Sequence, residues 1–270
     1  MESVFGLNRK RILVIGGGQG MGEATVLLLA KLGANVAVLD LDGERAERVA
    51  TAAREHGCEA LALAADVMDE AALVAAIDRA DRELGPLDGM ATIVGMAGWA
   101  PLVEMTTEMW DRDHARNLRY FFVAAREVGK RLLDRGAPGS IVGVASVDAF
   151  RGAANHAAYG AAKAGLVNLV KTMAVEWSGR GVRANIVAPG GIVTPRIPCT
   201  DPEAERRSMQ MLPMQRRGTV DDIAKAVCFF LSEMSPYVTG QALAVDGGFC
   251  AAGVFANKPI VKTGETIGVT

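Results

Sequence analysis

The chain predicts an α/β fold, a single doubly wound parallel sheet of about seven strands with helices on both faces. Three observations predict it. An apolar, β-branched run breaks into a dense glycine turn and resumes as a helix; the next strand-like run ends in a carboxylate; and strand and helix patterns alternate along the remaining length. With 270 residues, 50% of them hydrophobic, the chain can bury one large core.

Arg11-Ile12-Leu13-Val14-Ile15 reads as a buried strand and meets Gly16-Gly17-Gly18-Gln19-Gly20-Met21-Gly22, after which residues 23–32 have helical periodicity. Glycines let a backbone approach a pyrophosphate, and a helix N-terminus presents free N–H groups to it. Gly16, Gln19, Gly20, Met21 and Gly22 are therefore candidate cofactor contacts. The glycine spacing is G-x-x-x-G-x-G, and Glu23 in place of lysine after Gly22 excludes a P-loop. A second strand, 35–39, ends at Asp40, about where an acid meets the adenosine ribose hydroxyls of a dinucleotide. That carboxylate would repel a 2′-phosphate, and neither residue 19 nor residue 41 is basic. The expected cofactor is NAD rather than NADP.

Further helices are expected near 43–56, 69–83, 106–133, 157–179 and 220–231, and strands near 60–64, 88–94, 140–145, 183–188 and 242–246. The breaks are short and marked by glycine or proline, so one domain is expected over 1–270. Within it, Ser146 ends the apolar run 141–145, and Tyr159 and Lys163 stand four apart on the next helix. An i, i+4 pair shares one helix face, so the ammonium can lie by the phenol and lower a pKa that is about 10 in a free tyrosine. Ser146 and Tyr159 can converge on one substrate oxygen.

With these residues in place, the chain resembles the short-chain dehydrogenase/reductase family from Arg11 to about Gly248. The resemblance rests on the glycine turn, Asp66-Val67, Asn117, Ser146, Tyr159, Lys163, Pro189-Gly190 with Thr194, and Val245-Asp246-Gly247-Gly248. It implies a Rossmann-like fold and an NAD-dependent oxidoreductase acting on a secondary alcohol or ketone. Asn117, Ser146, Tyr159 and Lys163 would be catalytic, with Asn117 holding a water that connects Lys163 to solvent. Asp66 and Val67 would flank the adenine, and Ile192 and Thr194 would contact the nicotinamide carboxamide. Pro189 and Gly190 would line the cofactor site, which Tyr159 and Lys163 also border. The resemblance further implies a substrate lid at about 195–217, a C-terminal extension at about 249–270 and a homo-oligomer, tetramer or dimer. Two departures stand out: Ile15 replaces the family's threonine, and Gly95-Met96 replaces its Asn-Asn. They fall at ends of neighbouring strands and read as a paired loss of hydrogen-bonding partners. Two rival readings are a 3-oxoacyl thioester reductase and an NAD-binding sensor without turnover.

The formal net charge of −2, with acids and bases interleaved, argues against a nucleic-acid partner. No apolar run is long enough for a membrane span, and a cytoplasmic protein is expected. Four scattered cysteines and three scattered histidines suggest neither a disulfide framework nor a metal site. His156, three before Tyr159, reads as a helix N-terminal residue near the cleft. Met96, Trp99, Pro101, Phe150 and Phe249, with Ile197, Met209, Met211, Leu212 and Met214 from the lid, favour an apolar or cyclic small-molecule substrate.

Overall fold

The computed structural model describes residues 4–210 and 212–252. Seven strands form one parallel sheet in the order β3-β2-β1-β4-β5-β6-β7. They are β1 (Arg11–Ile15), β2 (Asn35–Asp40), β3 (Ala60–Ala64), β4 (Gly89–Thr92), β5 (Gly139–Val144), β6 (Val182–Pro189) and β7 (Ala242–Val245). The order reverses at the β1/β4 boundary, so a crevice opens there at the carboxyl ends of the strands.

Alternation along the strands sorts side chains onto two faces. Leu13 and Ile15 of β1 with Ala37 and Leu39 of β2 face α3 (Glu70–Glu83), α5 (Tyr120–Asp134) and α6 (Ala157–Trp177), packing with Leu73, Ile77, Phe121 and Leu166. Ile12 and Val14 with Val36 and Val38 face α1 (Gly20–Lys31), α2 (Gly43–Arg54) and α8 (Val220–Leu231), packing with Leu29, Val49, Ile223 and Val227. Both faces are covered, which is why these strands are apolar on both sides.

Three local features differ from the sequence expectation. The helix expected over 106–133 is α4 (Thr107–His114), a π-helical stretch at Ala115–Arg119, and then α5. The lid carries a helix of its own, α7 (Pro202–Met209), begun by Asp201, whose side chain accepts from the N–H groups of Glu203 and Ala204. Exposed Arg216 pairs with Asp222 at 3.1 Å, and the more buried Arg217 grips Glu205 through two bonds of 2.9 Å. Residues 253–270, most of the expected C-terminal extension, and Met211 lie outside the described residues.

Candidate active site

Ser146 follows the end of β5 and opens a 3₁₀ turn, Val147–Ala149; its Oγ accepts the Asp148 N–H at 3.2 Å. This fixes the hydroxyl at the carboxyl edge of β5. Because α6 starts at Ala157, Tyr159 lies in its first turn and Lys163 one turn later. The Lys163 Nζ donates to the Val144 carbonyl at 3.0 Å and lies 5.6 Å from the Tyr159 ring centroid. Ser146, Tyr159 and Lys163 are thus gathered by β5 and α6.

Protonation in this state differs from the sequence expectation. Lys163 is 2% exposed, and burial pushes its ammonium down to about 7. Burial pushes the Tyr159 phenol up to about 12; a hydrogen bond with Ser146 opposes the rise, and the charges of Asp148 and Asp113 add to it. The lysine does not lower the phenol here because it is directed to a backbone carbonyl and is itself partly discharged near neutrality.

The π-helical stretch widens the helix at Asn117 and frees the Asp113 carbonyl from the i, i+4 ladder. The buried Asn117 amide donates to that carbonyl and to the Met96 carbonyl, both at 2.9 Å, while its oxygen accepts the Met96 N–H at 3.3 Å. A Cβ on Gly95 would stand 3.1 Å from both Asn117 Oδ1 and Lys163 Nζ. Gly95 therefore lets the loop after β4 pass between these two groups. Asp113, 1% exposed, secures the same loop by accepting the Gly98 N–H at 2.9 Å.

The glycine turn lies at the carboxyl end of β1. The Gly16 and Gly17 N–H groups both donate to the Leu39 carbonyl, at 2.7 and 3.1 Å. Gly16 and Gly20 have φ of 82° and 58°, which other residues rarely adopt. A Cβ on Gly22 would lie 1.9 Å from the Gly16 carbonyl oxygen, so the helix can approach the turn this closely only with glycine there. Gln19 is the N-cap of α1, and no side chain caps that end, which leaves its amides to a ligand. Met21 packs on the α1 side of the core. Asp40 Oδ2 accepts the Gly18 N–H at 2.9 Å, and Oδ1 accepts the Asp42 N–H at 3.1 Å.

Gly190 follows β6 and meets β7: a Cβ there would be 2.8 Å from Asp246 Cβ. Ile192 is buried and bridges to Gly218, and Thr194 Oγ1 accepts the Ile197 N–H at 3.2 Å. The lid begins against the glycine turn, with Pro195 Cδ 3.5 Å from where a Gly20 Cβ would stand. Asp66 is exposed after β3 and turns back to accept the Met68 N–H at 2.8 Å, with Val67 packed on the core beside it. Pro189 ends β6. Met96, Trp99, Phe150, Ile197 and Met214 are exposed.

Sequence reasoning missed two groupings. Arg45 Nη2 lies 3.1 Å from Asp40 Oδ1, and the Gln19 amide oxygen, oriented to satisfy its donors, accepts from Arg45 and Arg196 at 3.1 Å. A basic residue one helical turn into α2 was the only signal. His156 Nδ1 bonds Asp148 Oδ2 at 2.8 Å, and its ring lies against Trp99. Nothing in the spacing of these three residues announces the contact.

The family model described as enoyl-(acyl carrier protein) reductase matches residues 16–250. The chain is 39% identical to 2-(S)-hydroxypropyl-CoM dehydrogenase 3 of Xanthobacter autotrophicus over 91% of this chain and 98% of the relative. It is 35% identical to D-threitol dehydrogenase of Mycolicibacterium smegmatis over 91% of this chain and 94% of the relative. A solved 7α-hydroxysteroid dehydrogenase, complexed with NADH and 7-oxo glycochenodeoxycholic acid, superimposes with a TM-score of 0.84 at 31% identity, covering 90% of this chain and 94% of that one. A seven-stranded parallel sheet, a glycine turn at its first strand, the Ser146, Tyr159 and Lys163 cluster and relatives aligned over nearly their full lengths agree: the chain belongs to the short-chain dehydrogenase/reductase family of oxidoreductases.

Proposed function

We propose that this chain is an NAD-dependent oxidoreductase that interconverts a secondary alcohol and a ketone on an apolar or cyclic small molecule. The observation that carries the reading is the convergence of Ser146, Tyr159 and Lys163 at the carboxyl edge of β5, on the sheet edge that also holds the glycine turn. In the oxidative direction Tyr159 takes the alcohol proton on its phenolic oxygen, and Ser146 donates a hydrogen bond to the same substrate oxygen. When bound, the nicotinamide accepts the hydride and returns it in reduction. Lys163 lies beside the Tyr159 ring, and its low pKa lets it pass a proton onward at neutral pH. Asn117 holds the Met96 loop beside Lys163 and is assigned the relay water.

The cofactor fit rests on the uncapped N-terminus of α1 with Gly16, Gln19, Gly20, Met21 and Gly22 for the pyrophosphate, and on Asp40 for the ribose. Asp66 and Val67 are assigned to the adenine end, and Pro189, Gly190, Ile192 and Thr194 to the nicotinamide end. Two backbone N–H groups hold the Asp40 carboxylate at the end of β2, where it suits paired ribose hydroxyls and opposes a phosphate. NADH in the related hydroxysteroid dehydrogenase supports this choice, as its oxo-steroid supports a cyclic substrate. Arg45 is the observation that favours NADP, since its guanidinium lies 3.1 Å from the Asp40 carboxylate assigned to the ribose and could pair with a phosphate. The alcohol reading is kept over the thioester one because these relatives are named as dehydrogenases of alcohols.

The test is the purified protein with NAD⁺ or NADP⁺ and a panel of cyclic and acyclic secondary alcohols, read by nicotinamide absorbance. Turnover is expected with NAD⁺ and strongest with cyclic alcohols. Preference for NADP⁺ rejects the ribose assignment to Asp40, and absence of all turnover rejects the enzyme reading.

A further inference from the structure

His156 stands on the wall of the cleft, between a residue of the loop after β4 and the reacting phenol. Its ring centroid is 3.7 Å from that of Trp99 and 5.4 Å from that of Tyr159. Its Nδ1 is 2.8 Å from Asp148 Oδ2. An ionised carboxylate can only accept, so Nδ1 carries the proton, and the neutral ring then presents Nε2 as an acceptor. Nε2 is buried and has no hydrogen-bond partner among the described residues.

A purely structural histidine at this place is poorly accounted for. Leaving a buried polar atom unsatisfied carries its full desolvation penalty. Asp148 also has Arg151 3.6 Å away, so the imidazole is not its only counter-group. A phenylalanine could lie against Trp99 without an orphaned nitrogen. The bond to Asp148 prevents the ring from turning Nε2 to solvent, which holds the acceptor in one direction. Trp99, whose ring lies against His156, is 68% exposed.

We propose that His156, oriented by Asp148, accepts a hydrogen bond from a second hydroxyl of a cyclic substrate, so that the site selects cyclic diols over cyclic monoalcohols. This deepens the alcohol-oxidising function proposed above and rests on it. The orphaned Nε2 is completed by a group that arrives with the substrate, one helical turn from the tyrosine that handles the first hydroxyl.

The test compares cyclohexanol with cyclohexane-1,2-, 1,3- and 1,4-diol at saturating cofactor, for the wild type, His156→Phe and His156→Gln. In the wild type, kcat/KM for at least one diol should exceed that for cyclohexanol by about tenfold, the effect of one well-placed hydrogen bond. In His156→Phe this diol-to-monoalcohol ratio should fall to about one. His156→Gln, which brings an amide oxygen near the position of Nε2, should recover part of it. A wild-type ratio near one overturns the assignment, as does a ratio that His156→Phe leaves unchanged while overall rates fall. Turnover of cyclohexanol with a flat ratio overturns the role of His156 alone. Turnover of no alcohol overturns the oxidoreductase reading and this one with it.

Discussion

Tyr159 and Lys163 show how far a residue's chemistry depends on its surroundings. The phenol at about 12 and the ammonium at about 7 are displaced in the directions that disfavour charge, because both are largely buried. Tyr159→Phe should therefore fold and bind cofactor yet lose at least about a hundredfold in kcat, because only the proton-transferring oxygen is removed. Substantial residual turnover would assign the base elsewhere. Lys163 also sets a pH dependence of stability. Its folded pKa lies below its ordinary value, so the unfolded chain binds more protons between pH 7 and 10.5 and stability rises with pH over that window. Tyr159 and the buried Cys228 thiol, both raised to about 12, act oppositely, but only above their ordinary values near 10 and 9. Between pH 7 and 8.5 the cofactor-free protein should gain melting temperature as pH rises, and Lys163→Met should flatten that slope. An equal slope in both proteins would refute the assignment.

At the scale of elements, the junction of β1 and α1 is the tightest constraint. Gly22→Ala would place a Cβ 1.9 Å from the Gly16 carbonyl, which forces α1 away from the turn. A loss of about 1–3 kcal/mol in denaturant melts is expected, with weakened cofactor binding measured by nicotinamide fluorescence. Stability and affinity like those of the wild type would mean that the turn is looser than this geometry. The departure at Ile15 has a different outcome from the paired loss expected from the sequence. The β1–β4 register sets Ile15 beside the buried hydroxyl of Thr92, which also interacts with the Tyr120 phenol. A threonine at 15 would find a hydroxyl next to it. Ile15→Thr should then cost less than about 1 kcal/mol rather than the penalty of an unpaired hydroxyl, and a larger loss in denaturant melts would restore the paired-loss reading.

For the whole molecule, a groove of about 410 Å³ runs between the π-helical stretch with α5 and helix α6, bordered by Leu118, Phe122 and Leu169. None of Ser146, Tyr159 and Lys163 borders it, so it is separate from the cleft. Phe122 and Val175 are exposed on these same helices. The homo-oligomer implied by the family resemblance would cover this face. Phe122→Glu should then lower the mass seen by light scattering, and an unchanged oligomer would move the contact elsewhere. Among the described residues, no helix is long and apolar enough to cross a membrane.

Local patterns in the sequence carry the architecture and single out the candidate catalytic residues. Strand runs, the glycine turn and the i, i+4 pair are local patterns, and the strands lie within two residues of where their own runs and breaks put them. The π-helical stretch was not legible, because 106–133 has ordinary helical periodicity and the widening depends on bonds from Asn117 to the distant Met96. Only the tertiary structure decided the charge states of Tyr159 and Lys163, since burial is a property of everything packed around them. It also decided that Arg45 lies on Asp40, that Arg217 grips Glu205, and that Asp148 holds His156 with one nitrogen left to fill. Each of these is a contact through space between side chains whose separation along the chain carries no periodic signal.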